Sequence, residues 1–504
     1  MKFKILNFKS PLWRFRQFWQ FWQSALPLLF LGGCAVGPNY HRPSAPSAPA
    51  WKEQPPWRAA APKDGLPKGQ WWSIFGDTEL NQYESQAIAA NQTIEVARDQ
   101  LEQARASARI TQSGLFPQLA AAISAQRSRG SRNAPTLTGT PLSTAATQNN
   151  IQIPFNLSWE PDVFGGVRRS VESANAQYQS SAAALENVRL IVTSELAVDY
   201  FSLRELDAEI EVVSDAVQSQ QKALQLVQRR HAGGIASGLD VAQQETQLNA
   251  TRTQETLLRR QRAQFEHAIA ALTGTPASSF SIPVKPLATA APVIPTGIPS
   301  DVLERRPDVA QAERLVASQN AQIGVAKNAF YPSVSIFGIG GVQSGDVTNL
   351  ISAPSALWAL GANVTETVLS GGRRRAQLDF AKSGYGVSVA SYRQTVLTAF
   401  QEVEDGISGL AILADAAQTQ QEAVDAAQRA LNIATDRYVG GLVTYLDVVT
   451  AEQTLLDNKR LATQILGQQL TTSVSLVKAL GGGWDAASLQ AVQVKATAGQ
   501  ALQP

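Results

Sequence analysis

The chain contains two copies of one sequence unit, and this duplication limits the folds that it can adopt. Residues of the first half recur in the second half at a constant spacing of 207 positions. The identical pairs include Gly165 and Gly372, Ala174 and Ala381, Tyr178 and Tyr385, Glu195 and Glu402, and Glu245 and Glu452. Toward the start of each copy the spacing is 215, as for Pro117 and Pro332, so the first copy has one longer loop. The duplication predicts two similar halves with pseudo-symmetry, and not a single catalytic pocket in one domain.

Charge and hydropathy exclude several classes of protein. The formal net charge is +2, but residues 1–33 contain five basic residues and no acidic residue, so the chain from Cys34 onward carries −3. This mildly acidic balance argues against nucleic acid as a partner. No run of 18 or more apolar residues occurs beyond the N-terminus, so we expect no helical membrane span after processing.

The sequence also lacks the residue patterns of an enzyme. The histidines are scattered, no nucleotide-binding glycine loop is present, and no nucleophile–base arrangement stands out. We therefore expect no catalytic residues, no metal site and no cofactor.

The N-terminus resembles a bacterial export signal that ends in a lipidation site. Basic residues up to Arg16 precede an apolar and aromatic stretch, and small residues follow it. Leu31-Gly32-Gly33-Cys34 fits a lipobox, so we expect cleavage before Cys34 and attachment there of a diacylglycerol and an N-acyl chain. The alternative is an incidental cysteine near the cleavage site. Ala35 favours the outer membrane, since aspartate at that position commonly retains a lipoprotein in the inner membrane.

After the signal, each copy begins with a helical pattern that ends at a proline. Asp77 is the predicted N-cap of the first helix, which runs to about Leu115 and is stopped by Phe116-Pro117. Asp301 opens its counterpart, which is stopped by Phe330-Tyr331-Pro332. These limits divide the chain into six parts: a signal peptide at 1–33, a Pro-rich extended tether at 34–76, a first repeat at 77–273, a linker at 274–300, a second repeat at 301–484 and a tail at 485–504.

After each proline the apolar period changes to that of a β-strand. Apolar residues alternate with polar ones at 151–159 and at 358–365, and earlier strands are predicted at 117–127 and 332–342. Strands of about ten residues can cross a bilayer. Four strands are too few to close a barrel, so either several chains share one barrel or the strands belong to a soluble sandwich.

A very long helix without proline follows the strands in each copy, at about 167–230 and 374–438. Roughly 65 residues at 1.5 Å each give about 95–100 Å, which requires helical partners along the whole length. Glycine pairs at Gly233-Gly234 and Gly440-Gly441 end these helices, and return helices follow at about 239–273 and 446–480.

Ordered motifs over nearly all of residues 34–484 resemble the TolC-like outer membrane factor family, in its lipoprotein branch of the OprM/NodT type. The motifs are Cys34-Ala35-Val36-Gly37-Pro38-Asn39-Tyr40, Trp71-Trp72 with Phe75-Gly76-Asp77, Arg306-Pro307-Asp308-Val309, Ala329-Phe330-Tyr331-Pro332, Gly371-Gly372-Arg373, and Arg437-Tyr438 through Gly440-Gly441 to Leu446-Asp447-Val448.

The resemblance implies a mainly α fold with a small transmembrane β part. It implies a homotrimer in which each chain gives four strands to a 12-stranded outer membrane β-barrel, continuous with a long periplasmic α-helical barrel. Such a trimer is the exit duct of a tripartite efflux pump for drugs or other toxic small molecules. The implied partners are a periplasmic adaptor, an inner-membrane transporter of the RND type and outer membrane lipid.

The resemblance also assigns roles to individual residues. Asp447 matches an aspartate of the ring that narrows the periplasmic end, and Tyr438 matches a gate tyrosine; the alternative for Asp447 is a helix N-terminal charge. The glycine turns Gly233, Gly234, Gly440 and Gly441 are the expected adaptor contacts. Trp159 and Trp358 are expected as aromatic anchors at the membrane interface, with ordinary packing as the alternative.

Two alternatives to small-molecule efflux stay open. Within the same fold, the chain could be the outer membrane duct of an ATP-driven type I secretion system. From another class, it could be a lipid-anchored periplasmic coiled-coil scaffold, which leaves the alternating strands unexplained.

Overall fold

The fold is mainly helical, with one small antiparallel sheet at one end of a long layer of helices. A computed structural model describes residues 35–46, 51–52, 70–131, 147–287, 291–292, 294 and 305–482. The elements in chain order are α1 (Thr78–Ala90), α2 (Gln92–Ser113), β1 (Gln118–Ala121), β2 (Ser124–Arg129), β3 (Thr147–Trp159), α3 (Gly166–Ala232), α4 (Gly238–Leu272), α5 (Pro307–Asn328), β4 (Ser333–Ser344), β5 (Ala356–Thr365), α6 (Arg373–Val439) and α7 (Tyr445–Ala479).

The duplication is visible in the helix boundaries. Both bounds of α6 and of α7 lie 207 positions after the corresponding bounds of α3 and α4. The long helices α3 and α6 have 67 residues each, close to their predicted limits, and are therefore about 100 Å long. The common spacing shows that the two copies have the same helical design over this half of the unit.

The helices form a single layer whose two long members run its full length. Near the sheet the neighbours are α2, α3, α5 and α6 in that order; at the far end they are α4, α3, α7 and α6. The shorter helices are thus stacked end to end, α2 on α4 and α5 on α7. The layer has free edges at α2 and α4 on one side and at α6 on the other.

Each end-to-end junction is held by a side chain that bonds the last carbonyl groups of the return helix. Asn91 donates its side-chain amide to Leu272 O at 2.9 Å, and Arg306 donates to Ala479 O at 3.1 Å. Asn91 also accepts from the amides of Thr93 and Ile94 as the N-cap of α2. The single helix predicted from Asp77 to about Leu115 is therefore wrong, because this cap divides it into α1 and α2.

The other predicted helix limits have mixed outcomes. Asp77 caps α1 through bonds from the amides of Glu79 and Leu80, as predicted. Asp301 lies outside the described residues, and α5 begins at Pro307 with Arg306 as its N-cap. Both proline stops are confirmed, since α2 and α5 end shortly before Pro117 and Pro332 and strands follow.

The main hydrophobic core lies at the level of these junctions. A short 3₁₀ turn at Trp71–Phe75 buries three aromatic rings there against Phe201 and other residues of α3. The described part of the linker is fixed at the same level. Buried Arg204 donates to Pro283 O at 2.7 Å and pairs with the fully buried carboxylate of Asp207 at 3.0 Å. The linker is therefore packed along residues 281–285.

The sheet has the order β1–β3–β4–β5, with all pairs antiparallel and β2 also paired to β3. The registers of β1 and β2 on β3 are continuous, so together they are one edge strand that is interrupted at 122–123. Pro154 lies opposite the interruption and has no amide proton, so only the bond from Ala122 N to Pro154 O is made there, at 3.1 Å. The predicted uninterrupted strand at 117–127 was wrong at this point.

Candidate functional site

One face of the sheet is apolar on every strand, from the β1–β2 edge across β3 and β4 to β5. Paired residues of neighbouring strands lie on the same face, and the pairing places Phe155 beside Gly340 and Gly340 beside Trp358. The side chains that share this face are Leu119, Ala121, Ile123, Ile151, Ile153, Phe155, Leu157, Trp159, Val334, Ile336, Val342, Trp358, Leu360, Ala362 and Val364. Leu119, Ile123, Phe155, Leu360 and Val364 are exposed on it.

An exposed apolar face of this size is unusual for a protein surrounded by water. Across the sheet the face extends from the row of Val334 to the row of Ile151, which is paired with Ser344, so it spans ten residues of β4, or about 33 Å along the strand. With the tilt of barrel strands this length gives a band about 25 Å tall, the height of the lipid-facing band of outer membrane proteins. The face therefore has the composition and the height of a lipid contact surface.

The opposite face of the sheet is uncharged and mostly polar. It contains Gln148, Asn150, Gln152, Asn156, Ser158 and Gln343, and Gln343 donates to Asn150 at 2.9 Å. Phe337 also lies on this face, where its ring occupies the space that a side chain at Gly361 would need. A polar face behind an apolar one is the arrangement expected where one side of a strand meets lipid and the other meets water.

The two predicted aromatic anchors lie at different levels of the apolar face. Trp159 is at the end near the helices, where its indole N–H donates to Leu115 O at 3.1 Å. Trp358 lies nearer the hairpin that joins β4 to β5, and its side chain is 82% exposed. Trp159 is thus half-buried and hydrogen-bonded, while Trp358 is open to the surroundings of the sheet, and the anchor role of both stays a prediction.

Residues 35–46 are extended, as predicted, but they are packed along the helices. Val36 N donates to Phe164 O at 3.1 Å, just before the start of α3. Gly37 has a φ of +114°, and a Cβ there would lie 2.5 Å from Gly324 Cα, so only glycine permits this close approach to α5. Cys34 itself lies outside the described residues. Its neighbour Ala35 contacts Gly165, between the end of β3 and the start of α3.

Buried polar side chains fix this segment in place. Arg169 is buried and donates to Val36 O at 3.2 Å and to the side chain of Asn39 at 3.0 Å. Tyr40 donates to Glu313 on α5. Arg169 therefore has a structural role, because it holds the N-terminal segment against the helices.

At the far end of the layer, the glycine pairs form the two helix–helix turns. Gly234 and Gly441 have φ values of 75° and 71°, whereas Gly233 and Gly440 have negative φ values. Only the second glycine of each pair therefore needs the left-handed conformation. Apolar side chains follow each turn and are exposed, with Ile235 after the first and Leu442 after the second.

Asp447 lies six residues after Gly441, at the third position of α7. Its carboxylate accepts from the Thr444 amide at 3.0 Å and from the Thr444 hydroxyl at 2.7 Å, which closes a capping box. Asp240 likewise accepts from the Ser237 amide, at 3.0 Å, in the capping box at the start of α4. The helix-capping alternative is thus present in the structure, and the role of Asp447 in a ring of three carboxylates stays a prediction.

Tyr438 joins the two copies near the turns through its ring. The side chain is buried, its ring centroid lies 4.9 Å from that of Tyr445, and the guanidinium of Arg230 lies 4.9 Å from the ring. Its hydroxyl has no hydrogen-bond partner among the described residues. The ring, and not the hydroxyl, therefore makes the contact between α6 and α3.

A carboxylate that the sequence did not single out lies beside the same turns. Glu452 on α7 lines a cavity of about 190 Å³ together with Gln220 and Lys459, and its Oε2 is buried without a hydrogen-bond partner. Burial raises the pKa of Glu452 to about 7. The identical residue of the first copy, Glu245, is exposed. The duplicated sequence could not predict this difference in burial, because the two residues are identical and only their surroundings differ. Within one chain α7 lies between α3 and α6, whereas α4 lies at an edge of the layer.

In the part of the chain that the structure describes, no helix is long and apolar enough to cross a membrane. Among the same residues, no group of three or more His, Cys, Asp or Glu side chains could hold a metal ion.

The sequence matches a known family over most of its length. The match is to the family described as "Outer membrane efflux protein", over residues 84–275 and 298–482. The two matched segments correspond to the two copies. The antibiotic efflux pump outer membrane protein ArpC of Pseudomonas putida is 31% identical over 463 residues, which cover 91% of this chain and 95% of that protein. The outer membrane protein OprJ of Pseudomonas aeruginosa is 30% identical, with 91% and 94% covered.

Solved structures agree with the sequence matches. The outer-membrane channel OprN has a TM-score of 0.82 and 27% identity, with 90% of this chain and 100% of that chain covered. The outer membrane channel CmeC of Campylobacter jejuni has a TM-score of 0.80 and 25% identity, with 90% and 96% covered. With its duplicated sequence, its helical layer and its small antiparallel sheet, the chain belongs to the outer membrane efflux protein family.

Proposed function

We propose that this chain is the outer membrane exit duct of a tripartite efflux pump that passes toxic small molecules from the periplasm to the exterior. The observation that carries the proposal is the apolar face of the sheet, placed at one end of helices about 100 Å long. This combination supports a β part in the outer membrane and an α part that reaches across the periplasm. Relatives are named for antibiotics and for toluene, which supports a cargo of drugs and apolar solvents.

A pore requires more than one chain, and we propose a homotrimer. The sheet has two unpaired edges, at β1–β2 and at β5, and four strands are too few to close into a barrel. Because β1 and β5 run in opposite directions, the β5 edge of one protomer can pair antiparallel with the β1 edge of the next. Three chains then give a 12-stranded barrel, and the free edges of the helical layer meet in the same way.

The ends of this duct have separate proposed roles. Lipid chains on Cys34 would enter the membrane near the junction of β3 and α3, because Ala35 lies there. Trp159 and Trp358 would contact the membrane from the apolar face.

At the opposite end, the turns at Gly233-Gly234 and Gly440-Gly441 would meet a periplasmic adaptor, with the exposed side chains of Ile235 and Leu442 as apolar contacts. The adaptor would connect the duct to an inner-membrane transporter, which we propose to be of the RND type.

Single-channel recording tests both the conduit and its gate. We expect the purified protein to form rarely open channels that divalent cations block, because three Asp447 carboxylates around one axis attract cations. The variant Asp447→Ala should open more often and be blocked more weakly. Asp240→Ala removes the same capping bond in the first copy and is the matched control, with unchanged block. A parent protein that never forms channels would contradict the proposed function, whereas unchanged recordings of Asp447→Ala would only remove this residue from the aperture.

A further inference from the structure

Two arginines continue the apolar face of the sheet beyond its last apolar row. The pairing of β2 with β3 places Ala125 beside Ile151, Arg127 beside Asn149 and Arg129 beside Thr147. Alternate residues of a strand lie on one face, so Arg127 and Arg129 are on the face that carries Ile151. Arg127 lies about 7 Å and Arg129 about 13 Å beyond the Ile151 row, measured along the strand.

Among the residues that the structure describes, the opposite face at the same level carries no charge. Its residues on β2 are Ser124, Gln126 and Ser128, and those on β3 are Gln148 and Asn150. The positive charge at this end of the sheet therefore lies on the lipid side and not on the polar side. An arrangement meant to select ions in a pore would have the reverse distribution.

Both arginines are available for a ligand. Their side chains are exposed, and neither forms an ion pair or a hydrogen bond with another described residue. A guanidinium presents a rigid fork of donors that matches the oxygens of a phosphate group. Two such forks directly above an apolar band fit a ligand that has acyl chains next to a phosphorylated head.

The position of the two arginines along the strands indicates which membrane leaflet they would meet. The arginines lie next to the connection between β2 and β3, at the end of the strands away from the helices. If the helices lie in the periplasm, this end lies at the outer leaflet, where the lipid is a phosphorylated glycolipid. We propose that Arg127 and Arg129 bind the phosphate groups of this glycolipid, lipid A, a site that rests on the outer membrane placement proposed above.

The test measures binding of lipid A to the purified full-length protein in detergent. Bis-phosphorylated lipid A and its dephosphorylated form are titrated and detected by native mass spectrometry. We expect the phosphorylated form to bind more tightly to the parent, by about 5-fold for each arginine and about 30-fold for the pair. Arg127→Gln with Arg129→Ser should lose this preference.

A face-swapped variant is the matched control. It combines Arg127→Gln and Arg129→Ser with Gln126→Arg and Ser128→Arg, so the net charge is unchanged and the arginines move to the polar face. This variant should bind phosphorylated lipid A as weakly as the double variant. Equal binding of both lipid forms by the parent, or full binding by either variant, would overturn the proposal. Channel recording on the same samples separates the two claims: channels without the lipid preference overturn only this site, whereas a parent without channels overturns the proposed function.

Discussion

Glu452 shows how packing changes the chemistry of one of two identical residues. Glu452 and Glu245 occupy equivalent positions in the two copies, but only Glu452 is half-buried beside Gln220 and Lys459. Burial raises its pKa from 4.5 to about 7. The folded state thus keeps a proton that the unfolded state loses near pH 4.5. The carboxyl therefore destabilises the fold by an amount that is absent below pH 4.5, grows up to about pH 7 and is constant above it.

We therefore predict that Glu452→Gln stabilises the protein only when the solution is neutral or alkaline. At pH 8 the gain should be about 2 kcal/mol per protomer, since each pKa unit corresponds to about 1.4 kcal/mol and the cavity is partly hydrated. At pH 4.5 the gain should disappear. Denaturant unfolding at both pH values measures it. Glu211→Gln serves as the control with no gain, because Glu211 is exposed on α3, which already has helical neighbours on both sides within one protomer. The same stability change at both pH values would show that the cavity does not perturb this carboxyl.

Sequence patterns predicted residue roles only where the role is local. The cap at Asp77 was predictable, because it depends on the next three residues. The burial of Arg169 was not, because it depends on contacts with Asn39 and with backbone carbonyls more than 130 positions away. The contact between Tyr438 and Arg230 joins the two copies in the same way and has no local signal.

The N-terminal segment is an element whose order depends on one close contact. Residues 35–46 lack regular secondary structure, yet Gly37 lies against Gly324 of α5 and Arg169 bonds two carbonyls of the segment. This contact places Ala35, and hence the residue before it, at the junction of β3 and α3. The segment therefore determines where a lipid on Cys34 would enter the membrane.

We predict that Gly37→Ala loosens this segment without unfolding the helices. A Cβ at a φ of +114° and 2.5 Å from Gly324 Cα cannot be accommodated. In the parent the Val36 amide donates to Phe164 O. Its hydrogen exchange should become at least about 10-fold faster in the variant, because opening of the segment no longer has to break the contact between Gly37 and Gly324. Gly386→Ala is the control, since a Cβ there meets no atom within 4 Å. Unchanged protection of Val36 in Gly37→Ala would contradict this role.

Periodicity predicted the long helices well and the shorter ones less well. The bounds of α3 and α6 follow from unbroken helical patterns that end at glycine pairs. The division at Asn91 was missed, because Asn91 is compatible with a helix and acts as a cap only where α2 stacks on α4. The break between β1 and β2 was missed for a similar reason, since Pro154 causes it from the neighbouring strand.

The proposed trimer rests on what one chain leaves unpaired. A single protomer exposes an apolar sheet face, two unpaired strand edges and a helical layer with free edges. Each of these features is costly in water, and the two edge types are removed together when identical chains close into a ring. In the proposed trimer the duplication would contribute to this closure, because two equivalent units per chain would let three chains form a barrel of nearly regular repeats.

The mass of the detergent-extracted protein tests this closure. Light scattering with the detergent contribution subtracted should give three chains per particle, for the parent and also for Cys34→Ala, because strand pairing and not the lipid holds the ring together. Both proteins should precipitate when the detergent is removed, since the apolar face then meets water. A Cys34→Ala protein that is monomeric and stays dissolved in buffer without detergent would contradict a shared barrel, and with it the proposed duct.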